Sequence, residues 1–128
     1  MSLSFLLMVE KQDKVKFDKI SFYESVFDVV RQIPIGRVTS YGGIARFLGT
    51  GKSARMVGWA MNASHGQLPK VPAQRVVNSA GLLTGKFHFG PGDEMKKLLQ
   101  ADGVMIEKNQ VVNFKALFWD PFELLDQI

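Results

Sequence analysis

The chain has 128 residues, 46% of them hydrophobic and 11% aromatic, which suits one domain with its own core and excludes wholesale disorder and fibrous repeats. Sixteen Lys and Arg against 12 Asp and Glu give a net charge of +4, compatible with a polyanionic partner and equally with a solvated basic surface. The absence of cysteine excludes disulfides, thiolate metal sites, iron–sulfur clusters and cysteine nucleophiles.

Residues 1–19 are rich in charge and poor in periodicity, so an N-terminal arm is expected there. Ser21-Phe22-Tyr23-Glu24 reads as a capping box, in which serine and glutamate satisfy the first free N–H groups of a helix. Phe22, Val26, Phe27, Val29, Val30 and Ile33 follow at helical spacing, and Pro34 with Gly36 stops the helix. Val38-Thr39 is a short extended bridge. Thr39 or Ser40 then caps a second helix with Ile44, Ala45, Phe47 and Leu48 inward, ended by Gly49. Gly51-Lys52-Ser53 forms a turn whose serine caps a third helix over about Ala54 to Asn62. Two short helices joined by a glycine-containing turn are the sequence form of a helix-turn-helix. The small residues Ala54, Gly58, Ala60 and Ala63 let the third helix approach either a neighbouring helix or a DNA groove.

Pro69 and Pro72 bracket an extended connection, and Arg75-Val76-Val77-Asn78 reads as a strand. Residues 84–92 are expected as a Gly-rich loop, and Asp93 to Asp102 as a helix stopped by Gly103. Val104-Met105-Ile106, the turn Lys108-Asn109-Gln110 and Val111-Val112-Asn113-Phe114 predict a β-hairpin. Phe118 to Phe122 is an aromatic clasp, with Asp120 and Pro121 suited to start a short last helix. The fold expected is α/β, mainly α: a winged-helix-like domain with a helix-turn-helix and a small β-hairpin. It spans residues 20–122, with the arm at 1–19 before it and a tail at 123–128 after it.

Gly51-Lys52-Ser53 resembles the end of a P-loop, but the position that needs the first glycine is Arg46. His65 and His88 lie far apart in loops without acidic neighbours at ligand spacing, and they read as surface or hydrogen-bonding histidines. No serine sits in a G-x-S-x-G context. No cofactor and no metal is expected. No apolar run approaches the roughly 20 residues of a membrane span, so a cytoplasmic protein with no membrane partner is expected.

Charge is distributed unevenly. Arg37, Arg46, Lys52, Arg55, Lys70, Arg75 and Lys86 all fall between Asp28 and Asp93, and no acidic residue lies between those two. A surface built from this segment attracts phosphates and releases counterions on binding. With the helix-turn-helix, that asymmetry points to nucleic acid.

Three segments carry a family resemblance. Pro34-Ile35-Gly36-Arg37-Val38-Thr39-Ser40-Tyr41-Gly42, Ala54-Arg55-Met56-Val57-Gly58-Trp59-Ala60-Met61 and Val71-Pro72-Ala73-Gln74-Arg75-Val76-Val77-Asn78-Ser79 resemble, in order and spacing, the C-terminal domain of O6-alkylguanine-DNA alkyltransferases. In that family the central motif is Pro-Cys-His-Arg-Val, with cysteine accepting the alkyl group and histidine activating it through water. Here it is Pro72-Ala73-Gln74-Arg75-Val76. Alanine has no nucleophile, and an amide is no general base near neutral pH. Asp102 matches the glutamate that orients the histidine in the family, and here it has no histidine to orient. The pattern is therefore similar to the alkyltransferase-like proteins, which lack the cysteine, recognise alkylated guanine and hand it to nucleotide excision repair. Many of those carry tryptophan and histidine where this chain has Ala73 and Gln74.

The resemblance implies a monomeric, non-catalytic protein that flips O6-alkylguanine out of duplex DNA. It implies that Ala54 and Gly58 let the third helix into the minor groove, and that Arg55 fills the gap left by the flipped nucleotide. Tyr41 is implied to press on the adjacent phosphate. Arg37 and Lys52 are expected on phosphates, and Arg75 joins this DNA-facing set. The pocket for the base is expected from Tyr41, Pro72, Ala73 and the Thr84 loop with Gly85, Lys86 and Phe87. The alternative from the residues alone is a winged-helix DNA-binding or transcription-regulatory module without lesion recognition.

Overall fold

Residues 14–49 and 53–127 are described by the structure, a computed structural model. Helix α1 runs Lys14–Arg31. Its Phe22, Val26, Phe27, Val29 and Val30 are all buried, Val26 and Val30 completely. Removing each of these side chains from water contributes about 1.5–3 kcal/mol. The chain tightens at the end, where the Gln32 and Ile33 N–H groups donate to the Val29 and Val30 carbonyls, before Pro34. The helix starts well before the expected Ser21, so the Ser21–Glu24 pattern lies within α1 and caps nothing. Lys14 to Ile20 contains no Gly or Pro, and a helix once nucleated extends through such a segment. Of the expected arm, residues 1–13 lie outside the described residues, and 14–19 are helical.

Strand β1 (Thr39–Ser40) leads directly into α2 (Tyr41–Leu48). Ser40 has extended backbone, and its Oγ accepts from the Gly43 N–H at 3.0 Å. Gly49 closes α2 at φ +60°, donating to the Ala45 carbonyl. Helix α3 (Ala54–Ala63) is capped by Ser53, whose Oγ accepts from the Met56 N–H at 3.3 Å. Strand β2 (Val76–Val77) pairs parallel with β1, Thr39 opposite Val76 and Ser40 opposite Val77. All four are buried, so β1 and β2 tie the start of α2 to the motif that precedes Val76.

Helix α4 (Glu94–Ala101) ends at Gly103, φ +90°. Strands β3 (Ile106–Glu107) and β4 (Gln110–Val111) form an antiparallel hairpin. Its turn is Lys108-Asn109, both at positive φ, as a two-residue primed turn requires. The hairpin is shorter than expected: Phe114 begins a short helix, α5 (Phe114–Leu117), instead of ending a strand. The expected loop at 84–92 likewise contains a 3₁₀ turn, Lys86–Phe89.

Among the described residues, the buried apolar side chains gather in two clusters. One joins α1, α2 and α3 with Val71, Ala73, Val76 and Trp119; the other joins Val38, Val77, Leu83, Met95, Leu99, Val104 and Val111. The chain end closes over the first. Val38 donates to the Leu117 carbonyl, and the Trp119 N–H donates to the Val38 carbonyl at 2.7 Å. Residues Pro121–Gln127 form a final 3₁₀ segment. Asp120 starts it as expected: its Oδ1 accepts from the Phe122 N–H, while Glu123 Oε2 accepts from the Asp120 N–H. Among the described residues no helix is long and apolar enough to cross a membrane.

Candidate nucleic-acid interface

The cleft is built where α2, α3, the 3₁₀ turn Ala73–Arg75 and the Thr84–Phe89 segment meet. It holds about 400 Å³, within the range of small-ligand sites. Tyr41 is the first residue of α2, aimed by the Ser40 cap, and it lines one wall. Burial pushes its phenol pKa above the usual 10, partly offset by a side-chain hydrogen bond with Thr84. The phenol is therefore neutral through the physiological range. A Cβ on Gly85 would sit 2.8 Å from the Tyr41 hydroxyl, so glycine is what lets this loop touch the ring.

Helix α3 shows two faces. Val57, Ala60 and Met61 are buried, Met61 also reaching the cleft, whose lining from this helix is otherwise Ala54, Arg55, Gly58, Trp59 and Asn62. The spacing of three and four residues between them is that of one helical side. Arg55 lies over the Trp59 ring at 5.2 Å from its centroid, a cation–π contact one turn along the helix. At the cleft floor is Ala73, 5% exposed. The turn that holds it is closed by the Ala73 N–H donating to the Val71 carbonyl and the Arg75 N–H to the Pro72 carbonyl. Next to it Gln74 is buried, and its Nε2 makes a long 3.4 Å contact with Asp102 Oδ2.

Of the residues expected to act together, the structure gathers Tyr41, Ala54, Arg55, Gly58, Ala73 and Gly85 on this one cleft. Pro72 instead lines a neighbouring cavity with Lys70, Arg75 and Asp102. Lys86 and Phe87 do not line the cleft either. The tight 3₁₀ turn directs His88 and Phe89 into it, while Phe87 is 79% exposed, with the Lys86 ammonium over its ring.

Two arginines expected on DNA are engaged inside the protein. Arg75 makes a paired contact to Asp102 at 2.8 and 3.1 Å and donates to the Ile33 carbonyl, so Asp102 anchors this arginine. Arg37 donates to the Leu117 and Phe118 carbonyls and pairs with Glu123 at 3.3 Å. Lys52 lies outside the described residues.

The cleft also uses residues the sequence reading did not place in it: Trp59, Met61, Asn62, His65, His88, Phe89 and Met95. Trp59 and Asn62 follow Arg55 by four and seven positions, so helical spacing alone could have found them. His65 and His88 could not be joined by spacing, because only the tertiary fold brings their loops together. The His65 ring packs edge-on against Phe89 at 4.7 Å. Its pKa falls below the usual 6.5, chiefly through burial and secondarily through the nearby His88 charge. Among the described residues lining the cleft there is no carboxylate. Nor do the described residues place three or more His, Asp or Glu side chains to hold a metal ion.

Comparison with known proteins identifies the family. Alkyltransferase-like protein 1 of Schizosaccharomyces pombe is 36% identical over 104 residues, covering 78% of this chain and 95% of that protein. A DNA base-flipping protein of Vibrio parahaemolyticus is 35% identical, covering 78% of this chain and 97% of that protein. The fold superposes with a TM-score of 0.67 on the crystal structure of S. pombe Atl1 in complex with damaged DNA containing O6-carboxymethylguanine. That match is 35% identical and covers 77% of this chain and 94% of the other. Residues 21–104 match the family described as 6-O-methylguanine DNA methyltransferase, DNA binding domain, and the chain belongs to it.

Proposed function

We propose that this protein recognises O6-alkylated guanine in duplex DNA by drawing the damaged nucleotide into the Tyr41–Ala73–Gly85 cleft, and that it transfers nothing from it. The observation that carries this reading is the cleft itself. Its floor, where the resemblance puts an acceptor cysteine, is the methyl group of Ala73, and the chain contains no cysteine. Gln74 beside it supplies no base to activate a nucleophile.

The remaining parts suit binding. The α3 face is narrow at Ala54 and Gly58 and carries Arg55 on its rim, free of any carboxylate partner among the described contacts. A planar guanidinium stacks well in a gap between bases. Alkylation at O6 removes the N1 proton of guanine and weakens its pairing, so the damaged base costs less to extrude. The relatives named for base flipping and the complex with damaged DNA support the same reading. A protein that marks a lesion without repairing it needs a repair system to follow, and nucleotide excision repair is the one proposed here.

The test is a binding titration on two duplexes that differ only in guanine or O6-methylguanine, with mass spectrometry of the protein afterwards. The methylated duplex is expected to bind more tightly and the protein mass to stay constant. Equal affinity for the two duplexes, or sequence-specific binding to undamaged DNA, overturns recognition. A stoichiometric mass gain overturns the non-catalytic assignment.

A further inference from the structure

Ala73 does more than remove a nucleophile. A second cavity of about 210 Å³ adjoins the cleft, lined in part by Ser64, Gln67, Lys70 and Gln74. The two spaces share His65, Ala73 and Phe89 as lining residues. On the function proposed above, a flipped guanine presents its O6 substituent toward Ala73. Ala73 belongs with His65 to the lining common to both spaces, so a substituent directed at Ala73 lies where the two spaces adjoin.

The charge in both spaces has one sign. Arg55, His65 and His88 line the cleft, and Lys70 and His65 line the side cavity; among the described residues neither lining includes Asp or Glu. Asp102 touches Gln74, but Arg75 engages both of its oxygens. Tyr41 is a neutral phenol in this range. A neutral adduct finds only contact area here, whereas a carboxylate finds charge-assisted donors without a competing anion.

We propose that His65, together with His88 and Lys70, makes this protein select O6 adducts ending in a carboxylate over neutral adducts of equal size. The proposal rests on the alkylguanine reading and specifies which adduct the site prefers. It also has a pH signature. Burial and the neighbouring His88 disfavour the imidazolium of His65. A bound carboxylate reverses that balance, so binding takes up a proton and strengthens as pH falls.

The experiment compares one duplex carrying, in turn, guanine, O6-methylguanine, O6-carboxymethylguanine and the primary amide of the carboxymethyl group, a neutral adduct of the same shape. Wild type is expected to prefer carboxylate to amide by roughly tenfold near pH 6, and by about threefold near pH 8. His65→Gln is expected to bring that ratio within about twofold and flatten its pH dependence. Lys70→Gln, at an exposed position, lowers the ratio without touching the core. Because each ratio compares two ligands on one protein, loss of folded material does not alter it. A wild-type ratio of one, with methylguanine still bound above guanine, overturns this proposal alone. A ratio that both substitutions leave at the wild-type value overturns the assignment to these residues. If no adduct is bound above guanine, the alkylguanine reading fails with it.

Discussion

Arg55 and Trp59 lie one turn apart on α3, and the guanidinium rests on the exposed indole. That contact holds the planar cation at the cleft rim, where it is already desolvated on one face. Removing it leaves an unfilled gap wherever a base is extruded. Arg55→Ala is expected to lose about tenfold or more in affinity for an O6-methylguanine duplex, since an unfilled base step costs a few kcal/mol. A titration that finds wild-type affinity in this variant removes the flipping mechanism. Gly85 tests the opposite wall. Gly85→Ala places a methyl group 2.8 Å from the Tyr41 hydroxyl, the far end of a half-buried ring that can shift. Stability is expected to change by no more than about 1 kcal/mol, while affinity for the alkylated duplex falls several-fold. Adding Tyr41→Phe removes the contacted oxygen, and affinity recovered in the double variant over the single one identifies that contact as the cause.

Helices α2 and α3 are defined by their ends more than by their length. Neither is long enough to be stable alone, so caps and packing decide them. Ser40, Gly49 and Ser53 each act as their residue type suggests, two as oxygen acceptors and one in the left-handed region. Ser53→Ala is expected to cost about 1 kcal/mol in denaturant unfolding, the usual value of a helix cap. These signals are legible because each acts within four residues. Ser21 carries the same local signal, yet it lies inside α1 with its hydroxyl buried and unpartnered among the described contacts. The helical segment before it has no breaker, so the helix runs on through it. Phe114 fails in the same direction: its ring packs on Gly81 and Phe118, so it serves α5 and the core beneath instead of extending β4.

The molecule as a whole is closed by a long-range latch. Arg37 ties the turn before β1 to the Leu117 and Phe118 carbonyls and to Glu123. Its neighbour Val38 bonds the same C-terminal segment in both directions. The ion pair is partly exposed and contributes little, so the carbonyl bonds carry most of the effect. Arg37→Ala is expected to lower stability by about 2 kcal/mol in chemical denaturation. The salt dependence of DNA binding is expected to stay as in wild type, whereas loss of a phosphate contact would reduce its slope by about one. A lowered slope with unchanged stability would return Arg37 to the DNA-facing surface. The core supports this division of labour: α1 packs behind α2 and α3, so their opposite sides remain free to form the cleft.

From the residues alone came the helix-turn-helix and the missing nucleophile; the family likeness of three motifs then implied the cleft members Tyr41, Ala54, Arg55, Gly58, Ala73 and Gly85. The first two rest on short-range spacing and on the chemistry of one side chain, both written directly in the chain, and the cleft members on the order and spacing of the motifs that carry the resemblance. The structure alone decided that Arg37 and Arg75 turn inward, that Pro72, Lys86 and Phe87 leave the cleft, and that His65 and His88 enter it. A guanidinium goes to whichever acceptors folding brings within reach, and two histidines in separate loops become neighbours only when α3 and the Lys86–Phe89 turn are packed on one core. Those are consequences of distances between residues remote in sequence, which no local pattern encodes.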